Sequence, residues 1–289
     1  MINNKYLLLL TMIMSIYLYA APGVAFCSAG TSSSDSQSYF ATIWSDIKDD
    51  GVLTLHNFKD LVRVPSKLTT PDIVAATVIT GTFLLSFTQD NSIRNFALSR
   101  RSDNVDRFLR YGFTYGNKWP AVAIGGGLYV LGLGVQNDWL HETGRETLTA
   151  LVMAGLFTGT MKYVIGRARP FKNIGNSKVT WFTLDDDYQS FPSGHATTAF
   201  TVSTVLASRI NNPFASVCLY GLAFLTAAQR FNVDKHWFSD VIMGATIGTL
   251  TARFVVKDSD AFLKQKGSKV TLIPEFSYDA AAIRLCINY

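Results

Sequence analysis

Six apolar segments follow one another along the chain, at 71–88, 119–135, 147–165, 196–210, 213–229 and 238–256, each too long for a strand and separated by more polar stretches. Their ends carry helix signals. Thr70 before Pro71 and Asn212 before Pro213 place a capping side chain ahead of proline at the first helical position, and Thr143 with Glu146 has the spacing of a capping box. The pattern predicts an all-α bundle of six helices over residues 71–256. Ahead of it, residues 30–38 form a serine-rich linker, and 39–68 carry two short amphipathic stretches around Trp44, Ile47, Phe58, Leu61 and Val62, so 30–70 reads as a linker with lead-in helices. Behind it, 257–289 turns polar and then alternates with period two through Val270 and Leu272 and again through Ile283, Leu285, Ile287 and Tyr289, which predicts a short C-terminal β-hairpin.

The first 29 residues have the layout of an export signal: Lys5, an apolar run from Tyr6 to Ala21, then Pro22, Gly23 and small residues up to Ala29. This places the mature body in the cell envelope, as a periplasmic or membrane-associated protein. Spanning a bilayer takes about 20 apolar residues. The segment from Ala196 to Ser208 is shorter than that and reaches only ~20 Å at ~1.5 Å per residue. An export signal followed by six true crossings would also leave the loop after the third helix on the cytoplasmic side. The expectation is therefore a compact helical bundle resting on a lipid surface, with a six-span integral protein as the alternative.

Composition narrows the class. The chain has 289 residues, is 48% apolar and 13% aromatic, and carries only 16% charged residues, which excludes a disordered or fibrous protein. The net charge of +5 is too modest to point to nucleic acid. Its cations matter by position: the stretch 90–118 holds Arg94, Arg100, Arg101, Arg107, Arg110 and Lys118, a basic loop suited to anionic head groups. Cys27, Cys218 and Cys286 have no repeated spacing and no neighbouring histidine, so neither a disulfide framework nor a zinc site is indicated.

Three clusters at helix ends carry the chemistry. They are Lys162 with Arg169 and Pro170; Pro192, Ser193, Gly194 and His195; and Arg230 with His236 and Asp240. Antiparallel neighbours joined by short links bring the end of the third helix, the start of the fourth, the end of the fifth and the start of the sixth to one end of the bundle. Three convergent cations call for a polyanion: at an effective dielectric near 20, two like charges ~4 Å apart cost about 4 kcal/mol. Arginine forks fit tetrahedral oxyanions, and a helix starting at Ser193 adds free N–H groups at Gly194 and His195. His236 and Asp240, four apart, lie on one helical turn, so the carboxylate is expected to take the Nδ1 proton and leave Nε2 as a nucleophile. His195 is then the general acid on the departing oxygen and the base for water in a second step. This chemistry calls for no metal or other cofactor. His56 and His141 have no such neighbours in the sequence and are read as structural. Trp237 and Phe191 either wall an apolar approach to the pocket or belong to the core, with the core favoured.

The three clusters resemble the three-part signature of the type 2 phosphatidic acid phosphatases, a superfamily shared with bacterial class A acid phosphatases and vanadium haloperoxidases, with ten identities at fixed intervals. The resemblance implies a metal-independent phosphatase acting on a phosphomonoester or diphosphate, with His236 as nucleophile, His195 as acid and base, Asp240 as partner, and Lys162, Arg169, Ser193, Gly194 and Arg230 holding phosphate. One departure stands out: Gln229 occupies the position before the third-motif arginine where the family usually has serine. The expected substrate is a phosphorylated lipid met at a membrane surface. A soluble acid phosphatase of broad specificity, a vanadium haloperoxidase and a non-catalytic phosphate binder are the alternatives.

Overall fold

The computed structural model describes residues 33–266, 270–277 and 280–287; the expected export signal over 1–29 lies outside them. Among the described residues there are eight α-helices rather than six: α1 (Ser33–Arg63), α2 (Thr70–Ser99), α3 (Asp103–Tyr115), α4 (Lys118–Val135), α5 (Asp138–Ile165), α6 (Gly194–Ile210), α7 (Pro213–Asn232) and α8 (Phe238–Lys266). Six of these match the six apolar segments. The other two were hidden by polarity. The lead-in forms one continuous helix, and the basic stretch 90–118 is mostly helical, with α2 running on to Ser99 and Ser102 capping α3 through its side chain to the Val105 amide. Two strands, β1 (Val270–Ser277) and β2 (Ala280–Ile287), pair antiparallel with Val270 opposite Ile287.

Capping follows the sequence at some ends and not at others. Asn212 caps α7, its side chain accepting from the Ala215 amide at 3.0 Å. At α2 the cap is Thr69, one residue earlier than expected, in a capping box with Asp72. The expected box at Thr143 and Glu146 does not form, because α5 already begins at Asp138 under an Asn137 cap. Glu146 instead is fully buried and paired with Arg209 from α6, whose Nε lies 2.6 Å from it.

Helix α6 is the centre of the bundle, packed against α8, α7 and α5. Ala196, Ala199, Val202 and Val205 along it are completely buried. Its many Thr and Ser hydroxyls are accommodated by back-bonding, as with Thr197 to Ser193 O and Thr201 to Thr197 O. The α6–α8 contact is made at backbone distance. A Cβ at Gly244 would come within 2.4 Å of Ser193 O, and one at Gly248 within 2.4 Å of Thr197 O, so only glycine permits this approach.

Five helices (α2, α4, α5, α7 and α8) are long and apolar enough to cross a membrane. They turn large apolar side chains outward, among them Ile73, Val78 and Leu85 on α2, Val130 on α4, Leu156 on α5 and Phe224 on α7. So much contiguous apolar surface is foreign to a water-soluble monomer, and it replaces the expected bundle resting on a surface with a membrane-type one. The short fourth segment behaves as its length predicts. With 17 residues, α6 is not one of the five; it is enclosed by them.

Candidate active site

The ends of α5 and α7 and the starts of α6 and α8 meet at one end of the bundle, as antiparallel alternation requires, although the α5–α6 link over 166–193 is long. Glycine in a left-handed conformation at 166 (φ 56°) ends α5 just after Lys162 and turns the chain into the segment carrying Arg167 and Arg169. Lys162 donates through Nζ to Gln189 O, and its Cε lies 3.8 Å from where a Cβ on Gly194 would be. Arg169 is buried. It reaches Asp186 through Nε and a terminal nitrogen, both at 2.7 Å, and Lys235 O, next to His236, at 3.2 Å. Arg230, at the end of α7, is buried with no hydrogen-bond partner for Nε.

Helix α6 begins beneath these cations. Ser193 N donates to Asp240 O at 2.9 Å, fixing the start of α6 on the first turn of α8. The Ser193 side chain caps Ala196 N, and Thr197 N bonds back to Ser193 O. The amides of Gly194 and His195 precede that first closed turn, where helix geometry supplies no intrahelical partner. Arginine, lysine and two open amides together make a site for a tetrahedral anion.

All eight predicted residues are brought together: Lys162, Arg169, Ser193, Gly194, His195, Arg230, His236 and Asp240. One predicted contact is different. The Nδ1 of His236 lies 2.6 Å from the Ser190 carbonyl oxygen and 4.0 Å from Asp240 Oδ2. Helical spacing does place the carboxylate near, but Asp240 sits on the first turn of α8 while His236 precedes that helix, so the ring turns to the segment from 185 to 192 instead. A carbonyl oxygen can only accept, so the proton belongs on Nδ1 and Nε2 keeps its lone pair. The expected tautomer is obtained through a different group.

Asp240 is occupied elsewhere. Its Oδ2 accepts from Ser190 Oγ at 2.5 Å and Trp237 N at 2.9 Å, and Oδ1 accepts from Arg167. Arg167 is buried and also reaches Asp90 Oδ2 at 2.6 Å and Ser239 Oγ at 2.8 Å, while Ser239 returns two bonds to Asp90. Asp90, Arg167 and Asp240 thus form a buried acid–base–acid chain beneath His236. Sequence reasoning missed Asp90, Arg167 and Ser190. Arg167 carried a signal, as a third cation between Lys162 and Arg169, but nothing in the sequence links it to an aspartate 77 positions away.

Both histidines are held neutral. Burial, followed by the charges of Arg230, Lys162 and Arg169, pushes His195 down to about 3. Burial and then Lys162, Arg230 and Arg169 press His236 well below its ordinary value, against a small opposing contribution from the Ser190 carbonyl. The His195 Nε2 is buried without a hydrogen-bond partner. An unpartnered buried nitrogen beside buried cations is the arrangement expected of a ligand-binding site.

The remaining expectations are settled by contacts. Gln229 accepts from Arg230 at 3.2 Å and so braces that arginine. Trp237 is buried and donates to Ala168 O, and Phe191 packs edge-on against Phe83, so both belong to the core. His141 pairs with Asp50 at 2.6 Å, and His56 lies 3.8–3.9 Å from Asp258 and Asp60, partners invisible when only sequence neighbours are considered. Of the basic stretch, Arg94 is bound to Asp234 and Arg101 to Asp106.

Residues 144–263 match the model of the PAP2 superfamily. Over that stretch the chain is similar to the PAP2 superfamily. The matched stretch covers the ends of α5 and α7 and the starts of α6 and α8, and hence all eight predicted site residues, while Asp90 lies ahead of it. The chain is 28% identical over 192 residues to a lipid A 1-phosphatase of Porphyromonas gingivalis, covering 63% of this chain and 37% of that protein. It is 35% identical over 107 residues to a lipid A 1-phosphatase of Rhizobium etli, covering 36% and 45% respectively. The chain thus spans less than half the length of these curated relatives. Among solved structures, the crystal structure of Aquifex aeolicus LpxE is similar with a TM-score of 0.46 and 21% identity, covering 58% of this chain and 94% of that one.

Proposed function

We propose that this protein is an integral membrane phosphatase of the cell envelope that removes a phosphate group from a lipid without a metal, through a phosphohistidine intermediate. The observation that carries this reading is the 2.6 Å contact of His236 Nδ1 with Ser190 O in a pocket shared with Lys162, Arg169, Arg230 and His195. Substrate phosphate is held by the three cations and the amides of Gly194 and His195. His236 Nε2 attacks phosphorus, the bond from phosphorus to the ester oxygen breaks, and protonated His195 gives its proton to that oxygen. His195 then takes a proton from water, the hydroxide attacks phosphorus, the P–N bond breaks, and inorganic phosphate leaves.

Beside the three cations His195 is too weakly basic to carry that proton. A bound phosphate dianion offsets the three cations and restores its basicity. The outward apolar faces of the five long helices favour a lipid substrate over a soluble ester, and the names of the relatives make the 1-phosphate of lipid A the first candidate to test.

The test compares phosphate release, in excess chelator, from detergent-dispersed lipid A, phosphatidate and a short soluble phosphomonoester. Preference for a lipid supports the reading. Equal or better turnover of the soluble ester would assign a scavenging phosphatase instead, and abolition by the chelator would refute the metal-free route.

A further inference from the structure

Outside the three signature clusters, α3 is pressed closely against His195. Its Gly112 packs on α7 at backbone distance: a Cβ there would come within 2.5 Å of Leu225 C, and Gly112 O accepts from Thr226 Oγ1 at 2.7 Å. At Gly116, just past the helix, a Cβ would lie 2.9 Å from His195 O and 3.3 Å from His195 Cβ. Tyr115 is buried and bonded to Ser203 on α6 at 2.7 Å. The end of α3 is therefore fixed to α7 and α6 at once.

Between these glycines sits Phe113. Its ring stacks on the His195 imidazole with centroids 5.2 Å apart and planes 27° apart, and the Arg230 guanidinium lies 5.7 Å from the ring centre. Phe113 therefore touches the proposed general acid and a phosphate-binding arginine, and at 39% exposure it forms the boundary between that acid and the outside.

We propose that Phe113 is a positioning residue for His195: its ring fixes the imidazole plane over the pocket and keeps water from that side of it. An offset stack sets ring orientation as a hydrogen bond would, and the His195 Nε2 has no protein hydrogen-bond partner to do so. The charged groups acting on His195 are Arg230 from α7, Lys162 from α5 and Arg169 from the segment after α5, all cationic. Water admitted beside the ring would screen them and solvate the imidazolium. The role concerns the acid–base step and so rests on the phosphatase reading; its physical effect on His195 does not.

The experiment uses full-length protein in detergent, with Phe113→Ala, the volume-keeping Phe113→Leu and the ring-keeping Phe113→Tyr. Phe113 is partly exposed, so truncation excavates no core, and thermal unfolding checks each fold. Histidine-selective NMR titration, with His195 assigned from His195→Gln, is expected to show His195 titrating nearer neutrality in Phe113→Ala and as in wild type in Phe113→Tyr. In turnover, Phe113→Ala should lose at least about tenfold in kcat with KM within about threefold, and Phe113→Tyr should recover most of the loss. Phe113→Leu, which seals without stacking, should keep the wild-type titration yet lose kcat. A wild-type titration and kcat in Phe113→Ala, or a loss confined to KM, would overturn the proposal. Absence of turnover in the wild type would instead overturn the phosphatase reading, while the titration would still decide whether Phe113 controls His195.

Discussion

The Nδ1 of His236 lies 2.6 Å from the carbonyl oxygen of Ser190, a group that no side-chain substitution removes. The tautomer of the proposed nucleophile is therefore set by the backbone, and Asp240, 4.0 Å from the ring, acts through the network that holds Ser190 and Trp237 in place. Asp240→Asn should lower kcat about 10- to 100-fold with little change in KM, while His236→Ala should lower it by at least about 10³-fold. Steady-state kinetics on both variants check this. Equal losses would mean that the carboxylate itself sets the tautomer.

Arg167 carries the charge balance beneath the site. Its removal leaves Asp90 and Asp240 buried without a cation, the costly way to break a buried ion pair. Arg167→Met is expected to destabilise the protein by about 3–5 kcal/mol, measured by denaturant unfolding in detergent. Replacing Asp90 by Asn in the same variant should recover part of that loss, since the double variant removes one of the two stranded charges.

Arg230 should behave in the opposite way. Its Nε is buried and unpaired, with Arg169 and Lys162 nearby. Arg230→Met is expected to leave the melting temperature unchanged or raised without ligand, and to weaken vanadate about 10- to 100-fold as a competitive inhibitor. Melting curves with and without vanadate test both halves.

Acid should unfold this protein earlier than its charge alone suggests. Both site histidines have folded-state pKa values below the ordinary 6.5, with His195 near 3, so below about pH 6.5 the unfolded chain binds protons that the folded chain does not. Stability therefore falls as pH falls from about 6.5 towards 3. Melting temperature against pH should show this slope, and His195→Gln should flatten it. Bound vanadate should flatten it also, by offsetting the cations that depress His195.

The three signature clusters were readable because each needs only local spacing and a helix end, and alternating helix direction brings those ends together. Other parts required the third dimension. Asp90 to Arg167 and Phe113 to His195 join positions about 80 apart whose pairing no periodicity reports. Helix α3 was hidden because its arginines and aspartates read as a loop, although Ser102 ahead of it is a capping residue and Gly112 and Gly116 lie one turn apart. The capping box at Thr143 failed for a related reason. The motif matched, but α5 already begins at Asp138, which puts Thr143 inside the helix and leaves Glu146 to pair with Arg209.

The central claim is covalent catalysis by His236, and trapping the intermediate tests it most directly. Protein turning over a lipid phosphate in chelator is quenched in alkali, and peptides are analysed for phosphohistidine. The account predicts a base-stable, acid-labile phosphoryl group on His236 in the wild type and none in His236→Ala. A labelled residue other than His236, or full phosphate release by His236→Ala, would contradict it.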